Sequence, residues 1–169
     1  DKLNLLKGGL KFADAATTVS PTHAHELRTP VGGFGLHDVF LWLGERFTGI
    51  VNGIDMKEWD PAHDPHITAT YSIGDLSGKA RCKAALQRSF GLPQRRRIPL
   101  FAMTARMTHQ KGLELITGEY SLFMLEAQFI FLGTGEAEYE ALLPLYESRW
   151  PGRICVHLGF SVRLEHRLM

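Results

Sequence analysis

The chain has 169 residues, the length of one average domain or of parts of two, and its 44% hydrophobic and 22% charged content is that of an ordinary globular protein. A formal net charge of +1 provides no general electrostatic field for nucleic acid or a membrane surface, so we expect neither as a partner. No apolar run is long enough to cross a bilayer, and the start at Asp1 lacks an initiator Met and a signal-peptide pattern, which suggests a piece of a longer protein.

Short helices and strands are predicted in the first fifty residues. In chain order they are an amphipathic helix over 3–12, a strand over 16–19, a helix capped by Ser20 with Pro21 in its first turn, a loop over 32–35, a helix over 36–46 and a strand over 48–51. Lys7-Gly8-Gly9 looks like a phosphate loop but lies inside the first helix, so we assign it no special role. Residues 60–66 have the composition of turns and are interpreted as an interdomain connection.

From residue 98 onward, strands and helices alternate. Strands are predicted over 98–104, 127–132 and 153–158, and helices over 112–125, 136–149 and 161–169. This order is typical of the α/β class, with right-handed crossovers that build a Rossmann-like parallel sheet flanked by helices. Three or four strands leave an unprotected edge, so this sheet is predicted to be incomplete.

Two cations follow the first of these strands. Arg106 and Lys111 lie five residues apart, between the strand over 98–104 and a helical pattern. In an open parallel sheet, ligands bind at the carboxyl ends of the strands, and a planar guanidinium together with a mobile ammonium suits phosphate. The sequence therefore predicts a phosphate-binding site that contains both residues.

Three further positions allow a functional and a structural interpretation. Gly133-Thr134-Gly135 could let a nucleotide approach the backbone or could be an ordinary strand-to-helix turn. Asn52, in Asn52-Gly53, could face a cleft or simply form a turn. Phe160 follows the third strand and could stack on a base or belong to the core.

Histidines and cysteines raise the question of a metal site. His63 and His66 lie beside Asp60 and Asp64, but no recognisable ligand spacing is present, so a chance cluster in a loop is the preferred interpretation. Cys82 and Cys155 are far apart and are expected to be reduced thiols.

Taken in order, these pieces resemble the glycosyltransferase family 5 enzymes, bacterial glycogen synthase and plant starch synthase. The resemblance extends over essentially the whole chain. The matching segments are residues 18–27 (TVSPTHAHEL), 48–55 (TGIVNGID), 59–61 (WDP), 76–79 (LSGK), 86–87 (LQ), 106–113 (RMTHQKGL), 132–135 (LGTG) and 166–169 (HRLM).

The resemblance implies an incomplete GT-B architecture of two Rossmann-like domains. Residues 1–51 would be the end of the N-terminal, acceptor-side domain, and residues 52–169 the first half of the C-terminal, nucleotide-sugar-binding domain. The implied reaction moves glucose from ADP-glucose to the non-reducing end of an α-1,4-glucan such as glycogen or starch, with retention of configuration and without metal or other cofactor. The implied location is the bacterial cytoplasm or the plastid stroma.

Carried over by position, Arg106 and Lys111 would grip the donor's diphosphate, with Gln110 as a neighbour of the phosphate site. Asn52 would lie near the reacting sugar, Gly133 and Gly135 would form the nucleotide-side turn, and Phe160 would stack on adenine where the family often has Tyr.

The sequence also departs from the family pattern. Ala105 stands where Ser or Gly is common, and His23 and His25 replace Tyr and Arg. The family's Lys-bearing glycine-rich loop would precede Asp1, and its Glu would follow Met169, so we expect the 169-residue chain alone to be inactive. Two alternatives remain: another retaining GT-B transferase with a different sugar nucleotide, and a non-catalytic relative that binds nucleotide or glucan. A nicotinamide-dependent oxidoreductase is disfavoured, because the glycine turn lacks the third glycine of that fingerprint.

Overall fold

A computed structural model describes residues 3–118 and 122–169, and the chain divides into two compact units, Asp1–Asp55 and Met56–Met169. The sequence predicted a boundary between residues 51 and 52. That these units are parts of the two domains of a GT-B enzyme stays a prediction. None of the helices in the described residues has the length and apolar character needed to cross a bilayer.

The first unit is a small parallel sheet with helices. Its elements are α1 (Leu5–Phe12), β1 (Ala16–Val19), α2 (Pro21–Glu26), α3 (His37–Leu43), a 3₁₀ turn (Gly44–Arg46) and β2 (Phe47–Ile50). Strands β1 and β2 pair in parallel, with Ala16 opposite Phe47. Lys7-Gly8-Gly9 lies within α1, as predicted. The core consists of Ala24, Phe40, Leu43 and Phe47.

Arg28 joins the elements of this unit. Its guanidinium donates hydrogen bonds to the carbonyl oxygens of Ala24 at 3.0 Å, Gly44 at 3.0 Å and Phe47 at 2.7 Å. These contacts tie the end of α2 to the start of β2, which leads into residues 51–55. Those residues are exposed and form neither helix, strand nor turn, so the turn that Asn52-Gly53 favours does not form there.

The second unit contains the predicted Rossmann-like sheet. Its elements are α4 (Ser77–Ser89), β3 (Leu100–Thr104), a 3₁₀ turn (His109–Lys111), α5 (Leu113–Thr117), a second 3₁₀ turn (Leu122–Met124), β4 (Gln128–Gly133), α6 (Ala137–Arg149), β5 (Ile154–Leu158) and α7 (Val162–Leu168). The strands are parallel in the order β3-β4-β5, which confirms the predicted fold class.

The core of this unit lies against the central strand. Residues 128–132 of β4 are all buried, because β3 and β5 cover its edges and helices cover its faces. Phe123 packs edge-on against Phe129, with ring centroids 5.2 Å apart, and lies beside the fully buried Leu113 and Leu143. Burying each such side chain stabilises the fold by about 1.5–3 kcal/mol.

The helix predicted over residues 112–125 is wrong in length. Helix α5 covers only Leu113–Thr117 and ends at Gly118, whose backbone is extended. Glycine has a low helix propensity, and the Thr117 hydroxyl bonds back to the Leu113 carbonyl oxygen at 3.0 Å, so the helix stops where the sequence pattern seemed to continue. The part of the predicted helix at residues 119–121 lies outside the described residues.

A buried pair of amides was not predicted. Gln87 and Gln128 are 1% and 2% exposed, and the Gln87 Nε2 donates to the Gln128 Oε1 at 2.7 Å. The Gln128 amide in turn donates to the Pro93 carbonyl oxygen at 2.8 Å. Because buried polar groups are costly unless they are paired, this network fixes the connection after α4 to the beginning of β4.

The interdomain interpretation of residues 60–66 also needs correction. These residues belong to the second unit, and Asp64 is buried there. Its Oδ2 lies 2.8 Å from the Nδ1 of His166, on α7. Trp59 stacks on the same imidazole, with the ring centroids 4.0 Å apart and the planes 7° from parallel. The segment is therefore held on α7 and is not a free linker.

Candidate functional site

A pocket opens at the carboxyl ends of the three parallel strands. It is lined by residues 104–106 at the end of β3, residues 132–134 at the end of β4, residues 159–161 after β5, and Glu165 on α7. Its volume is about 180 Å³. This edge is where ligands bind in open α/β sheets, since the strand-to-helix connections there leave a crevice. The pocket contains three of the predicted site residues: Arg106, Gly133 and Phe160.

Arg106 is placed in the pocket by its buried neighbour. Met107 is 2% exposed and belongs to the core, and its amide donates to the Thr134 carbonyl oxygen at 2.9 Å. Because Met107 is fixed inward, the exposed Arg106 side chain is directed to the pocket side of the same loop. Within the described residues Arg106 forms no ion pair, so its charge is not already neutralised there.

The two glycines of residues 133–135 bring the β4–α6 connection against this loop. A Cβ added to Gly133 would lie 2.0 Å from the Ala105 carbonyl oxygen, and one added to Gly135 would lie 2.1 Å from that of Met107. The Gly135 amide already donates to the Glu140 carboxylate at 2.7 Å. The structure thus gives both glycines a packing role, and only Gly133 lines the pocket. Their predicted contact with a nucleotide stays a prediction.

Phe160 is not a core residue. Its side chain is 83% exposed and forms part of the pocket wall, so the alternative interpretation as core is wrong. The next residue, Ser161, caps α7 by accepting a hydrogen bond from the Leu164 amide at 3.3 Å. The exposed Phe160 ring lines the same pocket as the Arg106 guanidinium, and such an aromatic surface suits a planar ligand such as a base.

Lys111 and Gln110 lie on the same connection as Arg106 but not in the pocket wall. Both are exposed and belong to the 3₁₀ turn His109–Lys111, which ends at Gly112 with a left-handed φ of 72°. Five residues of backbone span at most roughly 17 Å, so Arg106 and the long Lys111 side chain could reach one extended ligand. The convergence of the two head groups on a diphosphate stays a prediction.

Asn52 is exposed and lies in the first unit, four residues before Met56, where the second unit begins. Its predicted position near the reacting sugar is likewise a prediction.

Glu165 was not predicted as a site residue. It is half-buried and lines the pocket from α7, five residues after Phe160. The signal that could have found it is helical spacing: Ser161 begins the helix, and one turn later a side chain returns to the same side. The helix is held from its other side by the buried His166, through Asp64 and Trp59.

Two larger cavities among the described residues of the second unit contain none of the predicted site residues. One of about 260 Å³ lies between α4, β3 and α7, and one of about 690 Å³ lies beside α4 and Arg96. We place the candidate site in the pocket at the strand ends, because a cation, an exposed aromatic ring and closely packed backbone meet there.

The histidine and cysteine candidates have other partners. His63 Nδ1 is 2.6 Å from the Asp60 carboxylate, and in the described residues no group of three or more His, Cys, Asp or Glu side chains is placed to hold a metal ion. Cys82 and Cys155 are free thiols. Burial, together with Glu147, raises the pKa of Cys155 to about 11, so it is not a thiolate at neutral pH.

Comparison with known proteins gives consistent results. Residues 1–41 match the family model for the starch synthase catalytic domain. The chain is 48% identical to a glycogen synthase of Anaeromyxobacter sp. (strain Fw109-5), over 99% of this chain and 36% of that protein. It is 40% identical to granule-bound starch synthase 2 of Pisum sativum, over 99% of this chain and 23% of that protein.

A solved structure agrees with these sequences. The catalytic domain of starch synthase IV from Arabidopsis thaliana, bound to ADP and acarbose, superimposes with a TM-score of 0.88 at 36% identity, over 98% of this chain and 35% of that one. The chain thus spans about a third of the length of the glycogen synthase and of the solved structure. Over the part of those enzymes that it spans, the chain is similar in sequence and fold to bacterial glycogen synthases and plant starch synthases.

Proposed function

We propose that the chain is the donor-binding part of a glucosyltransferase that moves glucose from ADP-glucose to the non-reducing end of an α-1,4-glucan, with retention. The observation that carries the proposal is Arg106, an exposed guanidinium with no ion pair among the described residues, which lines the same pocket as the exposed Phe160 ring at the ends of three parallel strands. It is supported by the ADP and acarbose bound to the similar starch synthase IV.

In the proposed mechanism, negative charge builds on the departing diphosphate. Arg106 and Lys111 would stabilise that charge, and cations placed before the reaction lower its barrier without reorganisation. Gln110 would bind beside the phosphates, and Asn52 would contact the glucosyl group. Since Arg106 and Lys111 would stabilise the negative charge of the diphosphate, we expect that the reaction needs no metal ion. Loss of turnover when EDTA is added would contradict this expectation.

The pocket itself would hold only part of the donor. Its volume of about 180 Å³ is below the roughly 300–1,000 Å³ typical of small-molecule sites. With the Phe160 ring in its wall, we assign it to the nucleoside and the adjoining phosphate. The implied partners are ADP-glucose or ADP and glycogen or starch. We expect activity in the bacterial cytoplasm or the plastid stroma.

The test is glucosyl transfer to glycogen by the full-length protein that contains this chain. We expect ADP-glucose to be preferred over UDP-glucose, and Arg106→Ala and Lys111→Ala each to lower turnover by roughly 10²–10³-fold, the cost of removing one preorganised group. Arg97→Ala, an exposed arginine outside the pocket, is the matched control and should leave the rate unchanged.

Each alternative has its own result. Preference for another sugar nucleotide would identify a different retaining GT-B transferase. ADP or glucan binding without transfer would identify a non-catalytic relative. An unchanged rate in either variant would remove that residue from the mechanism.

A further inference from the structure

The pocket also contains a charged side chain that has no part in the mechanism above. Glu165 contributes a carboxylate to a wall that otherwise suits an anionic ligand. We infer that Glu165 binds the nucleoside half of the donor by accepting hydrogen bonds from its hydroxyl or amino groups, and so selects among nucleotides; this rests on the proposed function.

Charge assigns Glu165 to the nucleoside rather than to the phosphates. A carboxylate repels a diphosphate, so the part of the ligand beside it must be neutral. In the described part of the chain Glu165 forms no ion pair, with Arg106 or with any other cation. The pocket therefore offers a cation for the phosphates and a separate carboxylate for another part of the same ligand.

Sequence position places this carboxylate beside the ring. Phe160 directly precedes the cap of α7, and Glu165 lies on the first turns of that helix, with its amide bonded to the Ser161 carbonyl oxygen at 2.9 Å. The Ser161 hydroxyl accepts from the Leu164 amide and is occupied as a helix cap. Glu165 is thus the strong acceptor next to the surface on which a base would stack.

The helix that carries Glu165 is fixed before any ligand binds. The next residue, His166, is 5% exposed, with Asp64 Oδ2 2.8 Å from its Nδ1 and the Trp59 ring stacked 4.0 Å away. These contacts attach α7 at the residue next to Glu165, and Glu165 itself lies in the pocket wall. A preorganised acceptor loses less entropy when the ligand binds.

An ionised carboxylate is only an acceptor, with two oxygens. The groups it can bind are therefore O–H and N–H donors. The nucleoside of ADP-glucose has two kinds: the vicinal hydroxyls of ribose and the exocyclic amine of adenine. Both use the same chemistry, and analogues that lack one or the other separate them.

The experiment removes Glu165 and the ligand group together. The full-length protein and its Glu165→Ala and Glu165→Gln variants are compared in kcat/KM with ADP-glucose, 2′-deoxy-ADP-glucose and IDP-glucose. Kd values for ADP, 2′-deoxy-ADP and IDP are measured in parallel, so that the inference is tested even if no transfer is observed.

We expect the unsubstituted protein to discriminate against one analogue by roughly tenfold or more, as for a hydrogen bond to a charged group. Glu165→Ala should bind ADP-glucose more weakly by that factor and bind the analogue as well as the unsubstituted protein does. The discrimination of Glu165→Gln should lie between those of the other two proteins. If the variant loses discrimination against the 2′-deoxy analogue, Glu165 binds the ribose. If it loses discrimination against the inosine analogue, Glu165 binds the adenine amine.

The matched control is Arg163→Ala, an exposed residue of the same helix outside the pocket wall, which should keep the discrimination. Glu165→Ala with unchanged affinity and unchanged discrimination against both analogues would overturn the inference. Failure of the proposed function would be a different result, namely nucleotide discrimination that depends on Glu165 without glucosyl transfer.

Discussion

Two of the three strand-to-helix connections that line the pocket differ in what positions them. Between β4 and α6, Gly133 and Gly135 lie so close to the loop after β3 that an added Cβ would fall about 2 Å from a carbonyl oxygen. Between β5 and α7, a Cβ on Gly159 would meet only the His157 ring, at 3.4 Å, and Phe160 is exposed. The first connection is fixed by backbone contact, the second by the helix that follows it.

That helix is anchored by side chains. His166 attaches α7 to Asp64 and Trp59, on a segment more than a hundred residues earlier in the chain. Similar glycine turns therefore support different parts of the pocket: one packs against the loop that carries Arg106, and the other leaves the aromatic face of Phe160 exposed.

The largest effect on stability is expected when a methyl group is added to the closely packed connection between β4 and α6. Gly133→Ala places a Cβ against the Ala105 carbonyl oxygen and at a φ of 153°, a conformation that L side chains rarely adopt. Overpacking costs about 1–3 kcal/mol, and backbone strain adds a similar amount. We expect a melting temperature several degrees lower and a large loss of activity, because the Arg106 loop must move. Thermal unfolding and kcat/KM measure both.

A variant with normal stability and activity would show that this connection is not tightly packed. Gly53→Ala, at a glycine with open space around it, is the matched control for the loss of a glycine.

Removing the ring from the open connection should act on binding. Phe160→Ala deletes an exposed aromatic face, so we expect ADP-glucose affinity to fall roughly tenfold, within the 1–3 kcal/mol of base stacking on an aromatic ring. Turnover at saturating donor and the melting temperature should change little. Equal affinity in calorimetric titration with ADP would mean that the ring does not contact the nucleotide.

The anchor of α7 can be loosened through Asp64. Burial opposes ionisation of this carboxyl, but hydrogen bonds from the His66 amide and the His166 ring, with their positive charge, outweigh it and lower its pKa below 3.8. A carboxyl whose pKa is lower in the folded state stabilises the protein at pH values above its unfolded-state pKa. This stabilisation is lost as the pH falls through the folded-state pKa.

Asp64→Asn should therefore lower the melting temperature by a few degrees at pH 7, and the difference should shrink once the pH falls below about 4. Activity should decrease through a higher KM for the donor, since Glu165 and Phe160 lie on or beside α7. A melting difference that is constant from pH 3 to pH 7 would show that the carboxylate charge has no part in the anchor.

The sequence predicted the fold well where periodicity and order decide it. The strands predicted over 98–104, 127–132 and 153–158 are β3, β4 and β5, and the parallel sheet followed from their alternation with helices. The helix over 112–125 was predicted too long, since the apolar pattern continued past Gly118, where the backbone leaves the helix.

The site was predictable as far as it depends on local sequence. Arg106 and Phe160 follow strands and Gly133 ends one, and parallel strands bring such positions to one edge. Contacts between distant segments could not be predicted from spacing. The Asp64–His166 pair joins residues 102 positions apart, and the Gln87–Gln128 pair joins residues 41 apart. The role proposed for Glu165 also depends on the first of these pairs, although the helical spacing of Glu165 from Ser161 is a local signal.

The smallest effect is expected at Gly159, and it provides the sharpest contrast with Gly133. An added Cβ would meet the exposed His157 ring at ordinary van der Waals distance, so Gly159→Ala should change the unfolding free energy by no more than about 0.5 kcal/mol. Donor affinity should stay within roughly twofold, because Phe160 can keep its place while α7 is held at His166. The two alanine variants compared in one thermal unfolding series test the distinction directly. If Gly159→Ala destabilises the protein as much as Gly133→Ala does, the second connection is also fixed by backbone contact, and the anchoring role assigned to His166 is wrong.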